Sequence, residues 1–255
     1  MRVLKESGGW LNEQIESNEK TAKIFLIIGL ATLIIGLATI FYGLGIVFIG
    51  WGITFIVISI YFFIKSGPYY KGKIGETLVE EYLKELNDNY YLINDIMLPE
   101  RYGNIDHILF CPNGIFVIET KNYEGEIICD GDEWHRHYEG GFTISMRGRP
   151  YWKEPIDYDI RSPSKSVKGN AVKLKQLIES QRNIFRNPIK IWVEGIVVFT
   201  DPNVNLKLNK PTVTVLKVEE LCDYLKNKES KLKFSSKELE LIENLILMQA
   251  KGHFN

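Results

Sequence analysis

From Ile24 to Ile64 the chain carries no charged residue over 41 positions. A bilayer's hydrocarbon core, about 30 Å thick, takes about 20 helical residues. One straight helix of this run would reach roughly 60 Å at about 1.5 Å per residue, twice what a crossing needs. Two spans, 24–42 and 46–64, turning at Tyr42-Gly43-Leu44-Gly45, fit the length. The alternative is a core hairpin of a soluble protein, where so long an apolar run has little use. A polar stretch with Glu6, Glu13, Glu16 and Glu19 comes first, and the run is too long for a cleavable leader. Lys20 and Lys23 flank one end, Lys65, Lys71 and Lys73 the other, and the turn has no charge. The positive-inside rule then places both ends in the cytoplasm of a two-span protein of the cell membrane.

Gly29, Gly36, Gly43 and Gly50 recur every seven residues. Gly29 and Gly36 would share a helix face with Ala31, Ala38 and Thr39 nearby, which allows close approach. That approach is either span on span or a homo-oligomer seam between copies.

The remainder divides as a cytoplasmic segment 1–23, the hairpin 24–64, a domain over 72–227, and a C-terminal helix over 228–255, packed on or appended to that domain. Lys+Arg 31 against Asp+Glu 32 gives a net charge of −1, so no global basic bias announces nucleic acid. Cys111, Cys129 and Cys222 lie far apart without a CxxC spacing, which fits reduced thiols better than a disulfide framework. Ser66-Gly67-Pro68 is expected to end the second span, and 73–88 reads as a separate amphipathic helix. Residues 90–98 read as an irregular strand, 104–110 and 115–121 as a hairpin, and 125–138 as strand and turn. Residues 139–150 read as a Gly- and Arg-rich loop. Ser162-Pro163 opens a helix with Val167, Ala171, Leu174, Ile178 and Phe185 on its apolar face. Strands at 191–201 and 211–217, a helix at 218–227, and a last helix opened by the Ser235/Glu238 capping box complete an α/β domain with a mixed sheet between helices.

The hairpin holds three charges among apolar residues: Asp106, Glu119 and Lys121. Side chains alternate across a strand, so Glu119 and Lys121 share a face. Pairs summing to 225 set Asp106 opposite Glu119; pairs summing to 227 set it opposite Lys121. Both registers gather all three charges on one face. Two carboxylates on an apolar sheet need compensation. Lys121 supplies part of it, and a divalent cation with oxygen ligands, Mg²⁺ or Mn²⁺, would supply more. Such a site suits phosphodiester chemistry. The competing reading is a surface ion pair.

These residues resemble the nuclease-related domain (NERD) family, grouped with the PD-(D/E)XK nucleases. The likeness covers about 72–200. It rests on Gly75-Glu76-x-x-Val79, on Asn104-Ile105-Asp106-His107-Ile108, and on Gly114-Ile115-Phe116-Val117-Ile118-Glu119-Thr120-Lys121-Asn122. It continues through Gly125, Trp134, Ser162-Pro163 and Gly195-Ile196-Val197-Val198-Phe199. The resemblance implies a restriction-endonuclease-like mixed sheet flanked by helices, behind the two-helix transmembrane hairpin. It implies Asp106 and Glu119 as metal carboxylates, the Thr120 carbonyl as a further ligand, Lys121 as catalytic lysine, and Glu76 as accessory acid. The implied activity is nuclease cleavage of DNA or RNA. Ser166 stands where the family often has glutamine in Asn-Pro-x-x-Gln, which keeps a catalytically weak nucleic-acid-binding or scaffold module as the alternative.

Residues 147–190 hold eleven basic side chains against four acidic ones. Lys168, Lys175 and Arg182 recur every seven and line one helix face beside Lys165, which could follow a phosphate backbone. Anionic lipid or plain solvent would suit the same face. His135 and His137 share a strand face without an evident third ligand, and His107 alternates away from Asp106 toward a packing role.

Overall fold

The structure, a computed structural model, describes residues 1–97, 104–144, 150–180, 191–229 and 233–251. Two compact units emerge: Gly8–Ile74, and Met1–Ser7 together with Gly75–Asn255.

The first unit is an antiparallel hairpin of helix α1 (Gly9–Ala38) and most of helix α2 (Gly45–Leu83), joined by a 3₁₀ turn over Ile40–Tyr42 and by Gly43 at φ 77°. Ser59 Oγ donates to the Ala22 carbonyl at 2.8 Å, and Phe25 stacks against Phe55 and Phe62. A Cβ on Gly29 would stand 3.0 Å from the Gly52 carbonyl oxygen, and one on Gly36 2.9 Å from the Ile49 nitrogen. Those two glycines therefore serve span-on-span packing, and that part of the stripe is occupied within one chain. Gly43 and Gly50 face open space. Both helices are long and apolar enough to cross a membrane. Ile27, Ile34, Leu37 and Phe63 point outward, a surface that water disfavours by about 25 cal/mol per Å² and lipid does not.

The helices outrun the uncharged segment. Trp10 meets Tyr69 edge-on at 5.9 Å, and the Tyr70 hydroxyl donates to Glu19. The expected stop at Ser66-Gly67-Pro68 and the separate helix 73–88 are corrected: α2 passes through Pro68 without a break. Proline removes one backbone donor and crowds the preceding turn. Ser66 Oγ donates to the Phe63 carbonyl at 2.6 Å in that turn.

The second unit contains, in chain order, β1 (Arg2–Lys5), the end of α2, β2 (Tyr91–Met97), β3 (Asn104–Cys111), β4 (Gly114–Lys121), β5 (Gly125–Asp130), β6 (Glu133–Tyr138), β7 (Gly141–Ile144), β8 (Pro150–Lys153), β9 (Ile156–Asp159), α3 (Pro163–Ser180), β10 (Val193–Phe199), β11 (Val204–Asn209), β12 (Thr214–Lys217), α4 (Val218–Asn227) and α5 (Ser236–Lys251). A six-stranded mixed sheet runs β1-β2-β3-β4-β10-β12, beside a four-stranded sheet β11-β5-β6-β9 and the ribbon β7-β8. β3 runs antiparallel to both of its neighbours, β2 and β4, whereas β4, β10 and β12 are parallel. The nearly unbroken apolar runs of β4 and β10 suit strands covered on both faces.

Two cores flank the main sheet. Val79 and Leu83 of α2 join Leu221 and Leu225 of α4 over Phe116 and Ile118. Val167 and Leu174 of α3 join Leu239 and Ile242 of α5 over Ile115 and Val117. The caps follow the sequence: Ser162 Oγ accepts from Lys165 N at 3.2 Å, and Ser235 Oγ from Glu238 N at 3.3 Å. Phe185 lies outside the described residues.

Several strands depart from expectation. Arg2–Lys5 is an edge strand parallel to β2 rather than plain polar lead-in. Gly141–Ile144 and Pro150–Lys153 pair as a ribbon where a loop was expected. β11 pairs with β5 across nearly eighty residues, a partnership no local pattern announces.

Candidate active site

The β3–β4 hairpin turns at Pro112-Asn113, with pairs from Cys111↔Gly114 to His107↔Ile118. This is the first of the two registers, in which Asp106 follows opposite Glu119. Ile115 and Val117 pack toward α3, while Phe116 and Ile118 pack toward α2. By alternation Glu119 and Lys121 continue the α3 face and Thr120 the α2 face. Asp106 belongs with Ile108 and Phe110, on the α3 face again. The three charges share that face.

Lys121 Nζ donates to Glu119 Oε1 at 2.7 Å. Ser166 Oγ, from the first turn of α3, donates to Glu119 Oε2 at 3.2 Å. The Thr120 backbone N–H donates to Asp106 Oδ2 at 2.8 Å. Burial and the neighbouring Glu119 push the Asp106 carboxyl up to about 7, against the pull of Lys121 and the Thr120 N–H. Burial works against the charged Lys121 ammonium, but Glu119 and Asp106 outweigh it and raise its pKa. Lys121 is thus a fixed cation, and the crowding of negative charge is relieved at Asp106, whose carboxyl takes up a proton far more readily than an ordinary aspartate.

A cavity of about 750 Å³ opens on this face, lined among others by Glu119, Lys121, Ser166, Arg161, Lys165 and Lys173. Asp106 lies beside it on the next strand rather than in its wall. The donor set is all oxygen, with two carboxylates sharing one ammonium, which fits a hard cation such as Mg²⁺ or Mn²⁺. Among the described residues no group of three or more His, Cys, Asp or Glu side chains is arranged to hold an ion. Thr120, water and phosphate oxygens would have to complete a coordination shell.

Glu76 is buried on α2. Its neighbour Gly75 lies so close to the sheet that a Cβ would stand 2.9 Å from Thr200 Oγ1 and 3.2 Å from Thr120 Cγ2. That approach sets the backbone of α2 at Gly75 against the end of β4, on the face that carries the Thr120 side chain.

The basic stripe divides. Lys165 joins Arg161 and Lys173 at the cavity. Lys168 is instead bound to Asp132 at 2.6 and 2.8 Å and to Thr212 at 2.9 Å. Lys175 lines a separate groove with Trp192. Arg182 lies outside the described residues. His135 is held between Asp159 and Asp157 at 2.8 and 2.6 Å.

Sequence reasoning missed Asp95, which is buried and in a left-handed conformation at φ 55°. Asn94↔His107 and Ile96↔Ile105 pair on either side of it, so it adjoins Asp106 across the β2–β3 ladder. Its charge adds to the upward push on Asp106. It also missed Glu80, set outside the apolar arc of its helix yet buried. Glu80 Oε2 accepts from Ser7 N at 3.0 Å and from Asn94 Nδ2 at 2.8 Å, and Lys84 stands 3.2 Å from Oε1. Burial would raise this carboxyl; the bonds from Ser7 and Lys84 prevail and hold it below the ordinary range.

An uncharacterized protein of Bacillus anthracis is 45% identical over 67 residues, 25% of this chain and 32% of that protein. The chain thus spans about a third of the length of the curated relative it matches. No solved structure matches it. The family model described as nuclease-related domain matches residues 71–200, just over half of the chain and the stretch from the Gly75 contact to Thr200. With the four central strands β2, β3, β4 and β10 of the mixed sheet, the strand-borne acids and the lysine all inside that match, the chain belongs to the nuclease-related domain (NERD) family.

Proposed function

We propose that this chain is a bilayer-anchored phosphodiesterase, dependent on Mg²⁺ or Mn²⁺, that cleaves DNA or RNA at the cytoplasmic face of the cell membrane. The observation that carries the reading is the pairing of Asp106, Glu119 and Lys121 on one sheet face with a cavity whose rim adds Arg161, Lys165 and Lys173.

When bound, a hard dication supplies charge neutralisation on a phosphate and an acidified water. The chain's own groups have separate tasks. Lys121, fixed as an ammonium, stabilises negative charge growing on phosphate oxygens. Arg161, Lys165 and Lys173 hold the nucleic-acid backbone by charge. Ser166 steadies Glu119 Oε2, so the serine in place of glutamine still reaches the carboxylate. Glu76 and the Thr120 carbonyl remain the accessory groups of this reading.

Both connections of the hairpin, at residues 7 and 75, leave from one compact unit. A single folded sheet cannot straddle a bilayer, which supports both ends lying on one side. The flanking lysines favour the cytoplasm.

The test is cleavage by the full chain in lipid nanodiscs, given Mg²⁺ or Mn²⁺ with plasmid, linear DNA, single strands and RNA. Wild type should cleave at least one substrate, and Asp106→Ala should lose that activity. Cleavage undiminished in both Asp106→Ala and Lys121→Ala contradicts the reading.

A further inference from the structure

The face of the sheet opposite the acids carries a buried chain of polar groups. Asn94, His107 and Thr120 sit on β2, β3 and β4, three adjacent strands, and Glu80 reaches them from α2. Asn94 Nδ2 meets Glu80 Oε2 at 2.8 Å, Asn94 Oδ1 meets His107 Nδ1 at 2.7 Å, and His107 Nε2 meets Thr120 Oγ1 at 3.0 Å. Asn94 and His107 have no exposed surface.

The polarity of this chain follows from its first member. An ionised carboxylate only accepts. Glu80 Oε2 already accepts the Ser7 N–H, so Asn94 must turn its amide nitrogen toward it. The Asn94 oxygen then faces His107, and Nδ1 must carry the ring proton. The ring is sealed from water and touches no carboxylate, and burial disfavours the imidazolium, so the imidazole is neutral and Nε2 is bare. Nε2 therefore accepts the Thr120 hydroxyl proton. Thr120 is the residue whose backbone N–H grips Asp106 Oδ2 at 2.8 Å, and it sits between Glu119 and Lys121 in the chain.

We propose that His107 is a positioning residue: the relay Glu80–Asn94–His107 locks the Thr120 side chain on one face of the sheet and thereby holds the Glu119–Thr120 peptide that orients Asp106 on the other. The role of the relay in metal binding rests on the phosphodiesterase reading; its geometry does not. Gly75 completes the clamp, since a side chain there would collide with Thr120 Cγ2 and Thr200 Oγ1. Partners that orient metal ligands from behind commonly change affinity by about 10–100-fold when removed.

The test uses the full chain in nanodiscs with ¹⁵N-labelled histidine, of which there are four, and a ¹⁵N-labelled threonine sample. Wild-type His107 should show its proton on Nδ1. Asn94→Leu removes the acceptor and should move the proton to Nε2, shift the Thr120 amide resonance, and weaken Mn²⁺ binding about tenfold. Thr120→Val should weaken Mn²⁺ binding by a similar factor, and Thr120→Ser should restore it. A wild-type proton on Nε2 overturns the proposal, even if Asn94→Leu fails to fold. So does a Thr120 amide unmoved by Asn94→Leu. A wild type with the Nδ1 proton that binds no Mn²⁺ overturns the phosphodiesterase reading instead, and the Thr120 amide then decides the relay alone.

Discussion

Strands β2, β3 and β4 carry two polar rows, back to back. On the α3 face stand Asp106 and Glu119, acidic, crowded and adjoining a cavity, with Asp95 of β2 close enough to add to the push on Asp106. On the α2 face stand Asn94, His107 and Thr120, neutral, sealed and matched donor to acceptor. Burial drives Asp106 up to about 7 on the first face and His107 down to about 3 on the second. Both shifts disfavour charge, but the outcomes differ. His107 discards its charge and is satisfied by neighbours. Lys121 is bonded to Glu119, so Asp106 loses its charge only by taking a proton. One row is finished without a ligand; the other opens on a cavity with room for one.

That contrast predicts opposite responses to substitution. The largest effect concerns chemistry: Lys121→Ala should lower phosphodiester cleavage by about 10²–10³-fold, the scale for losing one preorganised charge beside the reacting centre, read as kcat/KM in nanodiscs. Next is stability on the sealed face. His107→Phe takes the ring from the Asn94 side-chain oxygen and from the Thr120 hydroxyl, at about 1–3 kcal/mol each. Thermal unfolding should fall by roughly 5–10 °C.

On the open face the sign reverses. The Asp106 carboxyl, ordinarily near 3.8, rises to about 7 on folding. A carboxyl so raised holds its proton more tightly in the folded state. Its contribution is therefore most favourable below about pH 4 and is lost as pH climbs to about 7. Asp106→Asn should stabilise the metal-free chain by about 2 kcal/mol at pH 8, a rise of roughly 5 °C, and the advantage should shrink at pH 5. Equal destabilisation by Asp106→Asn and His107→Phe would dissolve the distinction between the faces. The smallest effect belongs to Ser166→Ala, which removes one hydroxyl bond to Glu119 worth about 1 kcal/mol and should cost about fivefold in kcat/KM.

The open face was far more legible in the sequence than the sealed one. Asp106, Glu119 and Lys121 interrupt apolar runs at strand spacing, and Pro112-Asn113-Gly114 marks the turn between them, so their shared face follows from alternation alone. Which of two registers holds is decided by packing on both sides of β4. Glu80 was hidden because a helical wheel sees only its own helix. Its burial comes from Ser7, more than seventy residues earlier, and from Asn94 on β2. β1 was hidden for the same reason: four residues ahead of a long apolar helical hairpin find their partner strand beyond it. The lysine stripe on α3 is periodic as expected, yet Asp132 at the β5–β6 turn claims Lys168, a pairing that helix periodicity cannot foresee. Pro68 misled because its helix is supported along its length by α1 and by Ser66.

The most direct test of the open face is its capacity for a dication. Mn²⁺ titrated into the full chain in nanodiscs and followed by electron paramagnetic resonance should show one site per chain. That site should be abolished in Asp106→Ala and Glu119→Ala and displaced by Mg²⁺. Binding that is absent in wild type, or that persists unchanged in both variants, would contradict the account.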